Sequence, residues 1–201
     1  GVVVHEVNVF DIEADSLTPT KIHCLAIKND KGSKSTTSYE NMRKFFTKAK
    51  VLVGHNIIRY DIPSVERLLD IKIDALLVDT LALSWYLYPE RNKHGLEEWG
   101  EELGVAKPEI DDWENLTVEE YIHRCEEDVK INTLLWNKMW KYLRKIYDTE
   151  EEIWEFIRYL AEKMDCAREQ ERSRWKLDVE RCSKELEGLL LIQDETVSKL
   201  R

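Results

Sequence analysis

In the first third of the chain, apolar positions alternate or run in short blocks; beyond it they recur every three to four residues. The stretch VVVHEVNVFDIEAD is rich in Val and ends in alternation, and KIHCLAIKN repeats the pattern, so both predict strands. NDKG is a turn signal, with SKSTTSYE predicted as a third strand after it. ENMRKFFTKAK predicts a short helix and VLVGHN a short buried strand. Helical spacing then takes over. DIPSVERLLDI carries Pro63 near its start, DTLALSWYLYP runs from Asp79 to Pro89, and HGLEEWGEELG closes on Gly104. Thr117 and Glu120 form a capping-box pattern that opens a long helix through INTLLWNKMWKYLRKIY. A boundary is expected near residues 147–152, dividing the chain into 1–147 and a helical extension, 148–201. The extension holds two helical patterns whose apolar stripes call for a polymerase to cover them. Three strands, a helix, a strand and then helices make a mixed α/β plan.

Composition agrees with a packed domain. The chain has 201 residues, 43% of them hydrophobic, with seven Trp, which argues against disorder. No uncharged apolar run reaches the roughly 18 residues of a membrane span. The start lacks the basic region of a signal peptide, and Gly1 in place of Met suggests a processed or cut beginning. Four cysteines, Cys24, Cys125, Cys166 and Cys182, form no CxxC pair and no zinc spacing. A reduced, cytoplasmic protein is the simple expectation, the host cytoplasm if the chain is viral.

The net charge of −10 counts against a nucleic-acid binder, because phosphate contacts need Lys and Arg. The acid is concentrated, however, in LEEWGEELG and PEIDDWENLTVEEYIHRCEED, whereas KIHCLAIKNDKGSK and NMRKFFTKAK are basic. An enzyme that holds cations with carboxylates is acidic at its site whatever its substrate.

Three acidic positions stand out. Asp11 and Glu13 are two apart on a predicted strand and so share a face; if the strand has already ended, both are simply solvated. Asp61 follows a strand at the mouth of a helix, where by itself it reads first as a cap. Asp128 shares a helical stripe with Tyr121, Cys125, Asn132 and Leu135, beside a buried face where an acid wants a partner or a metal. Glu126 and Glu127 turn to solvent. Carboxylates converging from a strand, a loop–helix junction and a later helix suit two hard divalent ions, Mg2+ or Mn2+. Such a pair stabilises both the attacking and the leaving oxygen of a phosphoryl displacement.

Taken together, FDIEAD, GHNIIRYD and HRCEEDV resemble, in order and spacing, the three motifs of the DEDD superfamily of 3′–5′ exonucleases. The second motif reads here as Asn56, three residues, Tyr60 and Asp61. DIEADSLTPTKIHCLAI, DTLALSWYL and HGLEEWGEELG look more closely like the proofreading domain of family A DNA polymerases of short-tailed phages. AREQERSRWKLDVE resembles the junction where such chains enter the polymerase module. The resemblance covers nearly the whole chain, while the remaining polymerase motifs are missing from it.

The resemblance implies an RNase H-like fold and Asp11, Glu13, Asp61 and Asp128 as metal ligands. Asp11 would bridge both ions, Glu13 and Asp128 would complete the site of the ion bearing the nucleophile, and Asp61 would act through water on the other. It also implies hydrolysis of the terminal 3′ phosphodiester of DNA, with a polymerase module in the same or a partner chain. The chain departs from these relatives at Arg124, where they carry Tyr. His123, five residues before Asp128, has the spacing of the superfamily's His branch and a side chain suited to base catalysis. On an unbroken helix it points about 140° from Asp128, so that role needs a break before Asp128. His123 is favoured over Arg124 and Tyr121, the alternative being an exposed histidine. His55, Asn56, Tyr60 and Leu17 are candidate substrate contacts, Leu17 as a wedge at the terminal bases. Lys28, Lys31, Lys34 and Arg59 are candidate phosphate contacts, and Asp15 and Asp79 read as turn and helix caps. Two other functions stand beside the proofreading nuclease: an RNA-trimming exonuclease of the same superfamily, and a non-catalytic docking module of a polymerase.

Overall fold

The computed structural model describes residues 6–105, 112 and 114–173. The last helical pattern of the sequence and Cys182 lie outside them. A five-stranded mixed sheet forms the centre, in the order β3-β2-β1-β4-β5. Its strands are β1 (Val7–Ala14), β2 (Ile22–Asn29), β3 (Gly32–Thr36), β4 (Val51–Gly54) and β5 (Leu76–Asp79). β1 pairs antiparallel with β2, and β2 with β3; β1 and β4 run parallel, as do β4 and β5. The helices are α1 (Tyr39–Lys48), α2 (Ile62–Leu69), α3 (Thr80–Leu87), α4 (Leu96–Glu102), α5 (Val118–Ile146) and α6 (Glu150–Ser173). Within the described residues the predicted strands and helices form. β5, hidden in the sequence at the head of the α3 pattern, is an addition.

Alternation along β1 sorts its neighbours. Phe10 points to α1 and meets Phe46 edge-on, ring centroids 5.3 Å apart. Asp11 points the other way, to α5, where Cys125 Sγ lies 3.0 Å from its carbonyl oxygen. α5 starts at the predicted capping box, with both reciprocal hydrogen bonds formed. It then runs unbroken past Asp128, burying Cys125, Val129, Asn132, Leu135 and Met139. This is the stripe the sequence pattern drew, and it fixes which side chains of the third motif face the sheet.

A short turn, residues 147–149, joins α5 to α6. α6 buries Ile153, Ile157, Leu160 and Met164 in the same core as the sheet, packing on β5 and on the turn that follows β4. Trp154 joins it to α5, with centroids 5.2 Å from Trp140 and 6.1 Å from Trp136. The cover that the first apolar stripe called for is thus supplied by the sheet. Among the described residues, no helix is long and apolar enough to cross a membrane.

Candidate metal centre

β1 outruns its parallel neighbour. The last β1–β4 pair is Val9 with Val53, after which β4 ends at Gly54. A Cβ on Gly54 would collide with the Ile57 side chain, so the chain turns there without one. Asp11 and Glu13 therefore project from a stretch of β1 with a partner on one side only. That partner, β2, sets Ala26 opposite Asp11 and Cys24 opposite Glu13, small side chains that leave room beneath α5.

The space vacated by β4 is filled by the second motif. Asn56 adopts a left-handed conformation, φ 60°, which Asn tolerates better than most residues. A π-helical turn, Ile57–Asp61, follows before α2. π turns are rare and gather at functional sites. This one changes the role of Asp61. Capping was the first reading of that residue alone, yet its side chain makes no capping hydrogen bond. It is 5% exposed and lies near the backbone N–H of Ile12 on β1, which favours its charged form. Asp79 secures the turn from below. Its carboxylate accepts the amides of Asn56 at 2.9 Å and Ile58 at 3.1 Å, and those of Leu81 and Ala82 in the first turn of α3. The sequence identified Asp79 only as the helix cap; its grip on the second motif could not be read from spacing.

α5 contributes the third motif. Carboxylate oxygens of Asp11, Glu13 and Asp128 lie within 4.8 Å of one another. Asp61 stands outside that triangle but within its field. Burial first, then Asp128, Asp61 and Glu13, hold the Asp11 carboxyl well above its ordinary pKa. Burial, then Asp79 and Glu13, do the same for Asp61, against the opposing Ile12 amide. Acids that raise one another in this way are stabilised by a shared proton or a cation. The donor set, all hard oxygen, suits a divalent ion of the Mg2+ or Mn2+ kind. The Cys125 thiol, itself pushed up by burial, stays protonated and points at Asp11 Oδ2 from 3.6 Å.

The other predicted positions divide. Tyr60 donates to the Ser16 carbonyl at 2.6 Å, which ties the second motif to the loop after β1. Asp15 braces that loop by accepting the Thr20 hydroxyl and the amides of Thr20 and Lys21, and these bonds lower its pKa to about 2. At its tip Leu17 is 87% exposed. His55 faces inward: its ring nitrogens lie 2.8 Å from the Thr80 hydroxyl and 2.9 Å from the His94 carbonyl. It is a strut between β4, α3 and the segment before α4. His123 is exposed on the unbroken α5, so helix geometry turns it away from the carboxylates. Tyr121 stacks on His23, centroids 4.1 Å apart. Arg124 lies with its Nε 3.9 Å from Glu13. Glu126 is exposed and Glu127 half-buried. Away from the carboxylates, Lys31 and Lys34 share a groove with Lys44, Lys48 and Lys50 beside α1. The two basic stretches of the sequence thus meet in space.

No protein-family model matches the chain, and no curated protein sequence does. Solved structures do. The family B DNA polymerase of Pyrobaculum calidifontis superposes with a TM-score of 0.58 at 15% identity, covering 85% of this chain and 29% of the polymerase. The Brucella melitensis nuclease NrnC superposes at 0.57 with bound Mg2+ (18% identity) and 0.58 bound to pGG (17%), covering 78% of this chain and 83% of NrnC. The fold is RNase H-like, of the exonuclease type. In this RNase H-like exonuclease fold the sheet is mixed and flanked by helices, and the acidic cluster sits where β1 outruns β4 beneath α5. The chain spans less than a third of the polymerase it matches.

Proposed function

We propose that this chain is a metal-dependent 3′–5′ exonuclease acting on DNA ends, the proofreading part of a DNA polymerase of the short-tailed-phage family A kind. The observation that carries the reading is the convergence of Asp11, Glu13 and Asp128 within 4.8 Å, with Asp61 delivered to their edge by a π turn. Asp11, Glu13 and Asp128 would hold one divalent ion, and Asp61 with Asp11 a second. Such ions lower the pKa of a bound water and stabilise the charge that develops on the leaving oxygen. The polymerase and NrnC superpositions support the fold on which this chemistry would run.

The protein's own residues do the rest. Cys125 and the Ile12 amide lie beside the carboxylates of Asp11 and Asp61 and would help orient them. Tyr60 and Asp15 brace the loop that offers Leu17 to the terminal bases as a wedge. The lysine groove beside α1, across the sheet from α5, would give a strand long enough to pass round the sheet a second contact for its phosphates. Stepwise shortening of a 5′-labelled single strand in Mg2+ or Mn2+ is the expected activity. An Asp11→Ala/Glu13→Ala protein that shortened it equally well would end the assignment. DNA and RNA strands of equal sequence, compared side by side, separate proofreading from RNA trimming.

A further inference from the structure

This inference rests on the nuclease reading and concerns Arg124. It sits one helical turn before Asp128, about 40° from it around the α5 axis. Its Nε is 3.9 Å from Glu13 Oε1, and the two side chains are only 21% and 15% exposed. The pair is therefore not a solvated surface contact. The guanidinium is charged at every accessible pH, so a fixed cation is set against a carboxylate that also belongs to the metal triangle. Glu13 cannot satisfy both cations fully. Glu13 meets Arg124 at 3.9 Å while its carboxylate also lies within 4.8 Å of those of Asp11 and Asp128, so the guanidinium and a divalent ion would contend for the same carboxylate.

We propose that Arg124 is a cationic member of the site. It holds Glu13 in the metal-free protein, competes with the divalent ion for that carboxylate, and turns to the scissile phosphate once Glu13 is engaged by the ion. The chemistry suits the last role. A guanidinium presents a fork of donors that matches two phosphate oxygens, and a fixed positive charge stabilises negative charge as it develops on them. A tyrosine or an imidazole at this position would offer no permanent charge. The unbroken helix matters as well, because it keeps Arg124 on the carboxylate side while His123 faces out.

The test is calorimetric titration of Mn2+ into the wild type, Arg124→Gln and Arg124→Lys, with turnover measured on a labelled single strand. Removing the competitor should tighten Mn2+ binding about tenfold in Arg124→Gln, the effect expected of one neighbouring charge. Arg124→Lys should stay close to the wild type in Mn2+ affinity. Loss of the phosphate contact should lower kcat about a hundredfold in Arg124→Gln with KM little changed. Arg124→Lys should recover part of kcat, since it keeps the charge without the fork. Unchanged or weaker Mn2+ binding in Arg124→Gln overturns the proposal, as does an unchanged kcat. If the wild type cleaves no strand yet Arg124→Gln still tightens Mn2+, the nuclease reading falls while the competition for Glu13 stands.

Discussion

Asp79 holds the backbone amide of Asn56 at 2.9 Å, and Asn56 is the left-handed residue from which the chain swings into the turn that delivers Asp61. A carboxylate that touches no proposed metal ligand thus sets the position of one. Asp79→Ala removes the acceptor for four amides and should cost about 2–4 kcal/mol of stability. It should also weaken Mn2+ binding, because Asp61 is then less well placed although every proposed ligand is still present in the chain. Asp79→Asn, which keeps an acceptor oxygen, should fall between. A thermal melt with a parallel Mn2+ titration checks both; wild-type Mn2+ affinity in a folded Asp79→Ala protein would remove Asp79 from the site's support.

The pH dependence of the metal-free protein has a definite sign. Asp11 and Asp61 are both raised above the ordinary carboxylate range, chiefly by burial. The fold therefore keeps protons that an unfolded chain releases near pH ~3.9. Their contribution to stability is fully present below that pH and is lost as pH rises through the folded-state values. In EDTA the melting temperature should fall as pH climbs from weakly acid to neutral. Mn2+ should reverse the fall, with larger gains at higher pH because ion binding displaces the protons. Asp11→Asn should flatten the metal-free profile, and an EDTA profile that rises with pH instead would contradict the burial of these groups.

His123 offers a sharp kinetic test. Exposed on a continuous helix, it should be dispensable, with His123→Ala keeping turnover within about threefold of wild type. General-base loss would instead cost on the order of a hundredfold or more. A loss of that size would mean that α5 opens before Asp128 when substrate is bound.

The lysine groove predicts a length effect. Lys48→Glu/Lys50→Glu should weaken binding of strands long enough to reach from the carboxylates to α1, and it should reduce the salt dependence of that binding. Dinucleotides should be unaffected. Equal weakening for both lengths would mean that the groove acts on the fold rather than on the strand.

Much of this architecture was legible in the sequence because its signals are local. Alternation gave β1 and β2, the Thr117–Glu120 box gave the start of α5, and the Cys125–Asp128–Asn132 stripe gave the face that α5 turns to the sheet. Three features were not legible, one because it is short and two because they depend on distant partners. β5 is four residues, Leu76–Asp79, too short to separate from the helical pattern that follows. The π turn exists because Asp79 and Gly54 accept it, and nothing within GHNIIRYD distinguishes it from an ordinary helix start. The course of α5 past His123 was open until burial on β1 and β2 fixed it.

α6 can be probed through its core contacts. Ile157 is 2% exposed, in the stripe that packs on β5 and on the π turn. Ile157→Ala should cost about 2–4 kcal/mol, read as a shift in the denaturant midpoint. A negligible shift would mean that α6 does not share the cooperative unit of the sheet.

That packing gives α6 a part in the site. The helix packs on the very turn that delivers Asp61, so the last described element of the chain belongs to the scaffold of the acid site.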